Sequence, residues 1–245
     1  VTNKSIELYG DGIGRVELVD FMGTDKKIVN SARVSFGQDN DSELDERDKK
    51  LINYLIEHKH TSTLEHNVVT FKFVVPLFIR SQHHRHRTWS YNEISRRYTA
   101  EKLEFYEPKQ FRTQHKSNRQ ASNENELVNP LVDSRDCDVN GNKFGHDIPA
   151  DADQLIKQHH HRSVNLYNDL MESGVCREQA RGVLPQNLYT EYYGTVNLGN
   201  LLKFIELRTH AGAQWEIQKV AEACLEIISE LWPVTVSSYQ KIKTK

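Results

Sequence analysis

Apolar residues recur along this chain at two spacings. Alternation at Val69, Phe71, Phe73 and Val75 predicts a half-buried strand closed by Pro76, and the Val- and Leu-rich run over residues 15–22 predicts a shorter strand. Helical spacing is clearest over residues 42–59, where Leu51, Ile52, Leu55 and Ile56 share a face and Ser42 with Asp45 fits a capping box. Further helices are predicted over residues 25–34, from Leu77 towards Trp89, and over residues 153–173, with Gly174 as a stop. Three more follow, at 176–184 ahead of Pro185, at 197–207 and at 213–231, after which Pro233 ends the pattern. Between about residues 107 and 149 the periodicity gives way to Asn, Ser, Asp and Gln, which reads as a long polar surface insertion, partly ordered at best. Helices outnumber strands. The expected fold is therefore α+β, a small antiparallel-type sheet packed by several helices, in a single domain over residues 1–245.

Composition narrows the function. Hydrophobic residues make up 37% and charged residues 27%, which suits a soluble globular chain. A net charge of -2 gives no whole-chain signal for nucleic acid or membrane, so any anion site must be a local cluster. No apolar run is long enough to span a bilayer, and no leader pattern opens the sequence. Cys137, Cys176 and Cys224 are odd in number and contain no CxxC, which favours a reducing, cytoplasmic setting. Cys176 and Cys224 lie on helical patterns, where a small core residue is expected. Histidines cluster at 83, 84 and 86 and again at 159–161. Neither group has carboxylate or cysteine companions at ligand spacing, so no metal is expected, and His159 to His161 are expected on a polar helix face. Gly10, Gly12 and Gly14 lack the dinucleotide-binding spacing and read as a turn.

The segment with most chemistry runs from Arg85 to Tyr98. It holds four arginines, His86, Glu93, Ser90 and Ser95 in fourteen positions, interleaved with Trp89, Tyr91 and Tyr98. Planar guanidinium forks suit phosphate and carboxylate oxygens, while Asn92 and Glu93 can read a base edge or sugar hydroxyls. A solvated basic face is the plain alternative, and the aromatics argue for a partly buried polar site. Arg-rich stretches with aromatics also bind single-stranded nucleic acid, but the near-neutral chain and the Asn92-Glu93-Ile94-Ser95 interruption speak against that.

The same segment resembles the signature of the flavin-dependent thymidylate synthases, read here as Arg85-His86-Arg87, Ser90-Tyr91-Asn92-Glu93, Ser95 and Arg97-Tyr98. Other stretches resemble the family too: residues 30–36, His58-Lys59-His60-Thr61-Ser62 with Glu65-His66, Arg181-Gly182-Val183-Leu184-Pro185, Thr195-Val196-Asn197, Leu207-Arg208 and Ala213-Gln214-Trp215-Glu216-Ile217. The resemblance implies methylation of dUMP to dTMP with FAD as cofactor, 5,10-methylenetetrahydrofolate as carbon donor and NADPH as reductant. It implies a homotetramer with active sites between subunits. It places Gln82, Arg85, Glu93, Ser95, Arg97, Arg181 and Arg208 around dUMP; Arg96 departs from the family, standing in a place that is often Gly next to the proposed phosphate site, where its charge either adds a phosphate contact or faces solvent. Arg208, Glu93 and Ser95 are the expected catalytic group. Ser35, His60, Ser62, Glu65, Arg85, His86, Arg87 and Asn197 fall on the flavin and folate side. No cysteine nucleophile is implied. Three further departures stand out. Gly212 occupies the place of a family histidine, so that either His210 two residues earlier replaces its flavin contact or that contact is absent, and Gly199 and Lys203 stand where polar flavin-side residues are usual.

Overall fold

The computed structural model describes residues 4–37, 42–95, 97–98, 103–119, 121–133, 135–137, 140–145 and 149–243. In chain order the elements are β1 (Ser5–Glu7), β2 (Arg15–Met22), α1 (Asp25–Arg33), α2 (Glu46–Glu57), β3 (Val68–Pro76), α3 (Leu77–His83) and β4 (Ser90–Glu93). Six short strands follow: β5 (Phe111–Gln114), β6 (Ser122–Val128), β7 (Leu131–Asp133), β8 (Asp136–Cys137), β9 (Lys143–Phe144) and β10 (Pro149–Asp151). The chain then forms α4 (Ala152–Glu172), α5 (Arg177–Ala180), β11 (Tyr189–Asn197), α6 (Leu198–Arg208), α7 (Trp215–Leu231) and α8 (Pro233–Lys243). The fold is α+β, and the chain packs as two compact units. One comprises Val1–Val75, Ile79–Ile94 and Thr190–Lys245; the other comprises Pro76–Phe78 and Ser95–Tyr189.

The first unit is built on an antiparallel sheet of order β1-β2-β3-β11-β4. Alternation makes β3 a core strand, with Val69, Phe71, Phe73 and Val75 fully buried. Its partner β11 was not foreseen. It buries Thr190, Tyr192, Gly194 and Val196 in the same alternation. At Gly194 a Cβ would meet the Phe73 ring at 2.9 Å and the Trp89 indole at 3.2 Å, so only glycine lets the strand approach these rings. Helix α7 packs on β2 and against α6 and α8, burying Ile217, Val220, Ala221, Cys224, Ile227, Ile228 and Leu231. Each such large aliphatic side chain contributes roughly 1.5–3 kcal/mol of burial.

Several sequence expectations are corrected. The capping box of α2 joins Asp45 to Asp48, not Ser42 to Asp45, because the helix begins at Glu46. Ser42 instead accepts from Lys26. Helix α3 stops at His83 rather than running on to Trp89, since the chain must turn to lay β4 on the sheet edge; the Tyr91 hydroxyl ties that turn by donating to the carbonyls of His83 (2.9 Å) and His86 (3.1 Å). Pro233 starts a helix, as its fixed φ suits a first helical position. The described residues of the polar stretch carry strands paired as β5–β6, β7–β10 and β8–β9. In the second unit His160 is buried, not on a polar face: it stacks on Phe105 at 4.5 Å, and its Nδ1 lies 2.7 Å from the Glu107 carboxylate. Cys176 is exposed ahead of α5 rather than in the core, whereas Cys224 is fully buried and burial pushes its thiol pKa up.

Two buried carboxylates stitch the first unit together. Asp25 accepts from the backbone N–H of Val234 and Thr235 at 3.0 Å each and from the Thr235 hydroxyl at 2.5 Å, capping α8 from more than two hundred residues away. Asp25→Ala leaves those donors unpaired and is expected to cost about 2–3 kcal/mol in urea-denaturation stability. Asp48 is buried against Lys26 (2.8 Å) and Arg33 (2.5 Å). Burial opposes its ionisation, but hydrogen bonds from Lys26, the Asp45 backbone and Arg33 outweigh that, and its pKa lies below the ordinary 3.8. A depressed carboxylate stabilises the fold above its unfolded pKa and loses that stabilisation as pH falls through the folded value. The stability gap between the wild type and Asp48→Asn, followed by denaturant midpoints, should therefore be constant near neutrality and close as pH drops below about 4.

Candidate active site

The turn between α3 and β4 is held by aromatic packing. The His83 ring is fully buried, with centroids 4.7 Å from Phe73, 4.5 Å from Trp89 and 4.8 Å from Phe204. Its Nδ1 lies 2.8 Å from the Tyr192 hydroxyl. Burial, then the neighbouring His86, His84 and Arg208, hold its pKa well below the usual value, so the ring is neutral. This anchor sets the positions of Gln82 just before it and His86 just after it.

Arg208, in the last turn of α6, reaches into this turn. Its Nε donates to His86 Nε2 at 3.0 Å, and its Nη2 lies 3.5 Å from the Gln82 carbonyl. A guanidinium can only donate, so His86 must be neutral with its proton on Nδ1. Burial and the positive charge of Arg208 agree with this, lowering the His86 pKa to about 4. Gln82 and Arg208, which the family resemblance places around dUMP, thus meet His86, which it places on the flavin and folate side. Two further residues join them. Gln82 Nε2 donates to Gln214 Oε1, and Gln214 Nε2 donates to the buried Glu216 carboxylate at 2.9 Å.

Glu93 on β4 accepts from Arg80 at 2.9 Å (Nε) and 2.5 Å (Nη2), and from the Thr190 hydroxyl at 2.7 Å. Both carboxylate oxygens are engaged, which fixes the group as an oriented acceptor. Sequence reasoning missed Arg80, and it placed Gln214 and Glu216 in a family-like stretch without giving them a role. The signals were present: Arg80 is a lone charge in the apolar opening of α3, and Glu216 is a carboxylate in the apolar start of α7. A charge in such a place needs a partner.

On the other side of α6 lies a cavity of about 450 Å³ with both His60 and Lys203 in its wall. Leu55, Leu64, Leu202 and Tyr239 give it apolar walls, and Lys59, Lys203 and Lys243 bring amines. Helix α2 ends beside it in a Schellman turn, His60 N–H to the Leu55 carbonyl at 2.8 Å and Lys59 N–H to the Ile56 carbonyl at 3.1 Å. Lys59 occupies the left-handed position of that turn, with φ of 56°, where glycine is usual. Gly199 lines the same cavity, and Asn197 caps α6 by accepting from the Asn200 N–H at 2.9 Å. Ser62 and Glu65 are exposed in and after the short 3-10 turn that follows, and Ser35 is exposed between Val34 and Phe36. Arg85 and Arg87 are exposed beside His86. His210 is exposed, and its Nδ1 accepts from the Gly212 N–H at 3.1 Å.

In the second unit, Arg97 and Arg181 meet at Glu178, with Ser95 beside Arg97. Ser95 Oγ accepts from the Arg97 N–H at 3.3 Å, Arg97 pairs with the Glu178 carboxylate at 3.7 Å, and Arg181 donates to the Glu178 carbonyl at 3.3 Å. Both guanidiniums are on the surface, where an anion can compete for them. Arg96 lies outside the described residues. Among the described residues no three His, Cys, Asp or Glu side chains are grouped to hold a metal, and no helix is long and apolar enough to cross a membrane.

The model of the family described as thymidylate synthase complementing protein matches residues 17–234. A flavin-dependent thymidylate synthase of Thermus thermophilus is 41% identical over 93% of this chain and 76% of its own length. One of Thermotoga neapolitana is 39% identical over 95% of this chain and 93% of its own. The crystal structure of a UMP/dUMP methylase, PolB from Streptomyces cacaoi, bound with 5-Br dUMP, superposes with a TM-score of 0.73 at 32% identity, covering 96% of this chain and 97% of that one. The family-model match over residues 17–234 and these relatives establish that the chain belongs to the flavin-dependent thymidylate synthase family.

Proposed function

We propose that residues 1–245 act as one catalytic domain that methylates dUMP to dTMP, with FAD as cofactor, 5,10-methylenetetrahydrofolate as carbon donor and NADPH as reductant. The observation that carries this reading is the meeting of Arg208, His86 and Gln82 on the family signature. Arg208 is a fixed cation whose approach is set by His86, so negative charge developing on a pyrimidine ring meets a preorganised donor. Glu93, oriented by Arg80 and Thr190, offers a fixed acceptor. Ser95, Arg97 and Arg181, with Arg96, are assigned to the phosphate, as guanidiniums suit its oxygens. The chemistry requires no thiolate, in keeping with the buried, protonated Cys224.

The cavity beside His60 and Lys203 fits a flavin, since it pairs apolar walls for a ring system with amines for phosphates. When bound, reduced flavin supplies the hydride. Lys203, Lys59 and His60 are assigned to hold it, with Gly199 and Asn197 shaping the wall and Ser62, Glu65, Ser35, Arg85, Arg87 and His210 completing the flavin and folate surface. We also assign the chain to a homotetramer with sites between subunits. Val34 and Phe36, 64% and 79% exposed on either side of Ser35, support that reading, because large apolar groups so placed favour a covering partner.

Arg208→Ala is expected to slow single-turnover dTMP formation about a hundred- to thousandfold with dUMP saturating, the usual cost of one preorganised donor. Arg208→Lys should recover little, because an ammonium lacks the planar fork. Arg97→Ala should chiefly weaken dUMP binding, as a phosphate contact is equal in ground and transition states. A near-normal single-turnover rate for Arg208→Ala would overturn its assigned role. A second outcome concerns Lys59. Its left-handed backbone costs about 1 kcal/mol relative to glycine, so Lys59→Gly should raise the thermal midpoint while weakening flavin retention, read from the visible absorbance of the purified protein.

A further inference from the structure

The chain of side chains Glu216, Gln214 and Gln82 has a direction. A carboxylate only accepts, so Gln214 must turn its NH2 towards Glu216 and its oxygen away. That oxygen in turn accepts from the Gln82 NH2. Gln82 is left with its own Oε1 as the group not used by the relay, and among the described residues no hydrogen bond engages that oxygen. An amide is otherwise free to flip. Here a flip of Gln82 would set its oxygen against the Gln214 oxygen and leave both acceptors without a donor, which is costly in a partly buried site.

Resting on the reading that the site takes dUMP, we propose that Glu216 is a positioning residue that sets base specificity. Acting through Gln214, it locks the Gln82 amide with its oxygen towards the ligand. An oxygen in that role accepts from the N3–H of a uracil ring. Cytosine has a lone pair at N3 and would face it without a proton between them. The discrimination thus originates in a carboxylate two side chains away from the base. Its buried position, at 4% exposure and in the first turn of α7, holds the negative charge close to a helix N-terminus, where it is favoured.

The test compares affinities for dUMP and dCMP by equilibrium dialysis, using the flavin-loaded protein as purified. The wild type should prefer dUMP. Glu216→Gln keeps the shape but can present its NH2 to Gln214, reversing the relay and turning the Gln82 NH2 towards the base. It should lose dUMP affinity and gain dCMP affinity, narrowing the ratio by about tenfold or more. Gln214→Met cuts the relay with little change in volume and should narrow the ratio as well, and it decides the matter should Glu216→Gln fail to fold. A gain in dCMP affinity is the telling result, because a purely structural role for Glu216 would weaken both ligands together. An unchanged ratio in folded variants overturns this inference and leaves the dUMP reading intact. A wild type that binds no dUMP overturns that reading, and the inference with it.

Discussion

At the end of α3 a histidine ring is buried among Phe73, Trp89 and Phe204 and bound to the Tyr192 hydroxyl, and the geometry of the first unit follows from that contact. Burying an imidazole costs less when it is neutral and hydrogen-bonded, and the aromatic shell enforces both conditions. With His83 fixed, the helix cannot continue, the Tyr91 hydroxyl takes up freed carbonyls, and β4 is delivered to the sheet edge. Gln82, His86 and Glu93 thereby sit on backbone that has little freedom to move. Binding groups placed this way need little ordering when ligand arrives.

The polar site shows how donor-only and acceptor-only groups set the state of their neighbours. Arg208 fixes the tautomer of His86, and Arg80 with Thr190 fixes Glu93. None of these arrangements relies on titration near neutral pH, since His86 is held neutral down to about 4. The site is therefore a set of permanent dipoles and charges. That suits a family in which the cofactor performs the redox step and the protein supplies position and electrostatics.

Strain and order are spent near the proposed cofactor cavity as well. Lys59 takes a backbone conformation better suited to glycine, and the Schellman turn it closes carries His60 into the cavity wall. The stretch over residues 107–149 shows the opposite economy. It pairs short strands with few buried apolar side chains, held by hydrogen bonds such as Asn123 to Thr113 and by the Asp133 pairs with Arg135 and Lys143.

The sequence alone determined β2 and β3 and the existence of α1, α2, α4, α6 and α7, and a long polar signature pointed to the family, because alternation, helical periodicity and such a signature are local patterns that do not depend on distant partners. The elements it missed are those whose justification is tertiary. β11 is a strand because Gly194 lets it pass close to Phe73 and Trp89, and α8 begins at Pro233 because Asp25 caps it from the far end of the chain. α3 stops short because His83 finds its shell among β3, β11 and α6. Arg80 goes unnoticed in the sequence, and Gln214 and Glu216 stand there as part of a family-like stretch with no role, for the same reason: Arg80 gains its meaning from Glu93 and Gln214 from Gln82, with Glu216 reaching that partner through Gln214, and only folding decides these partners.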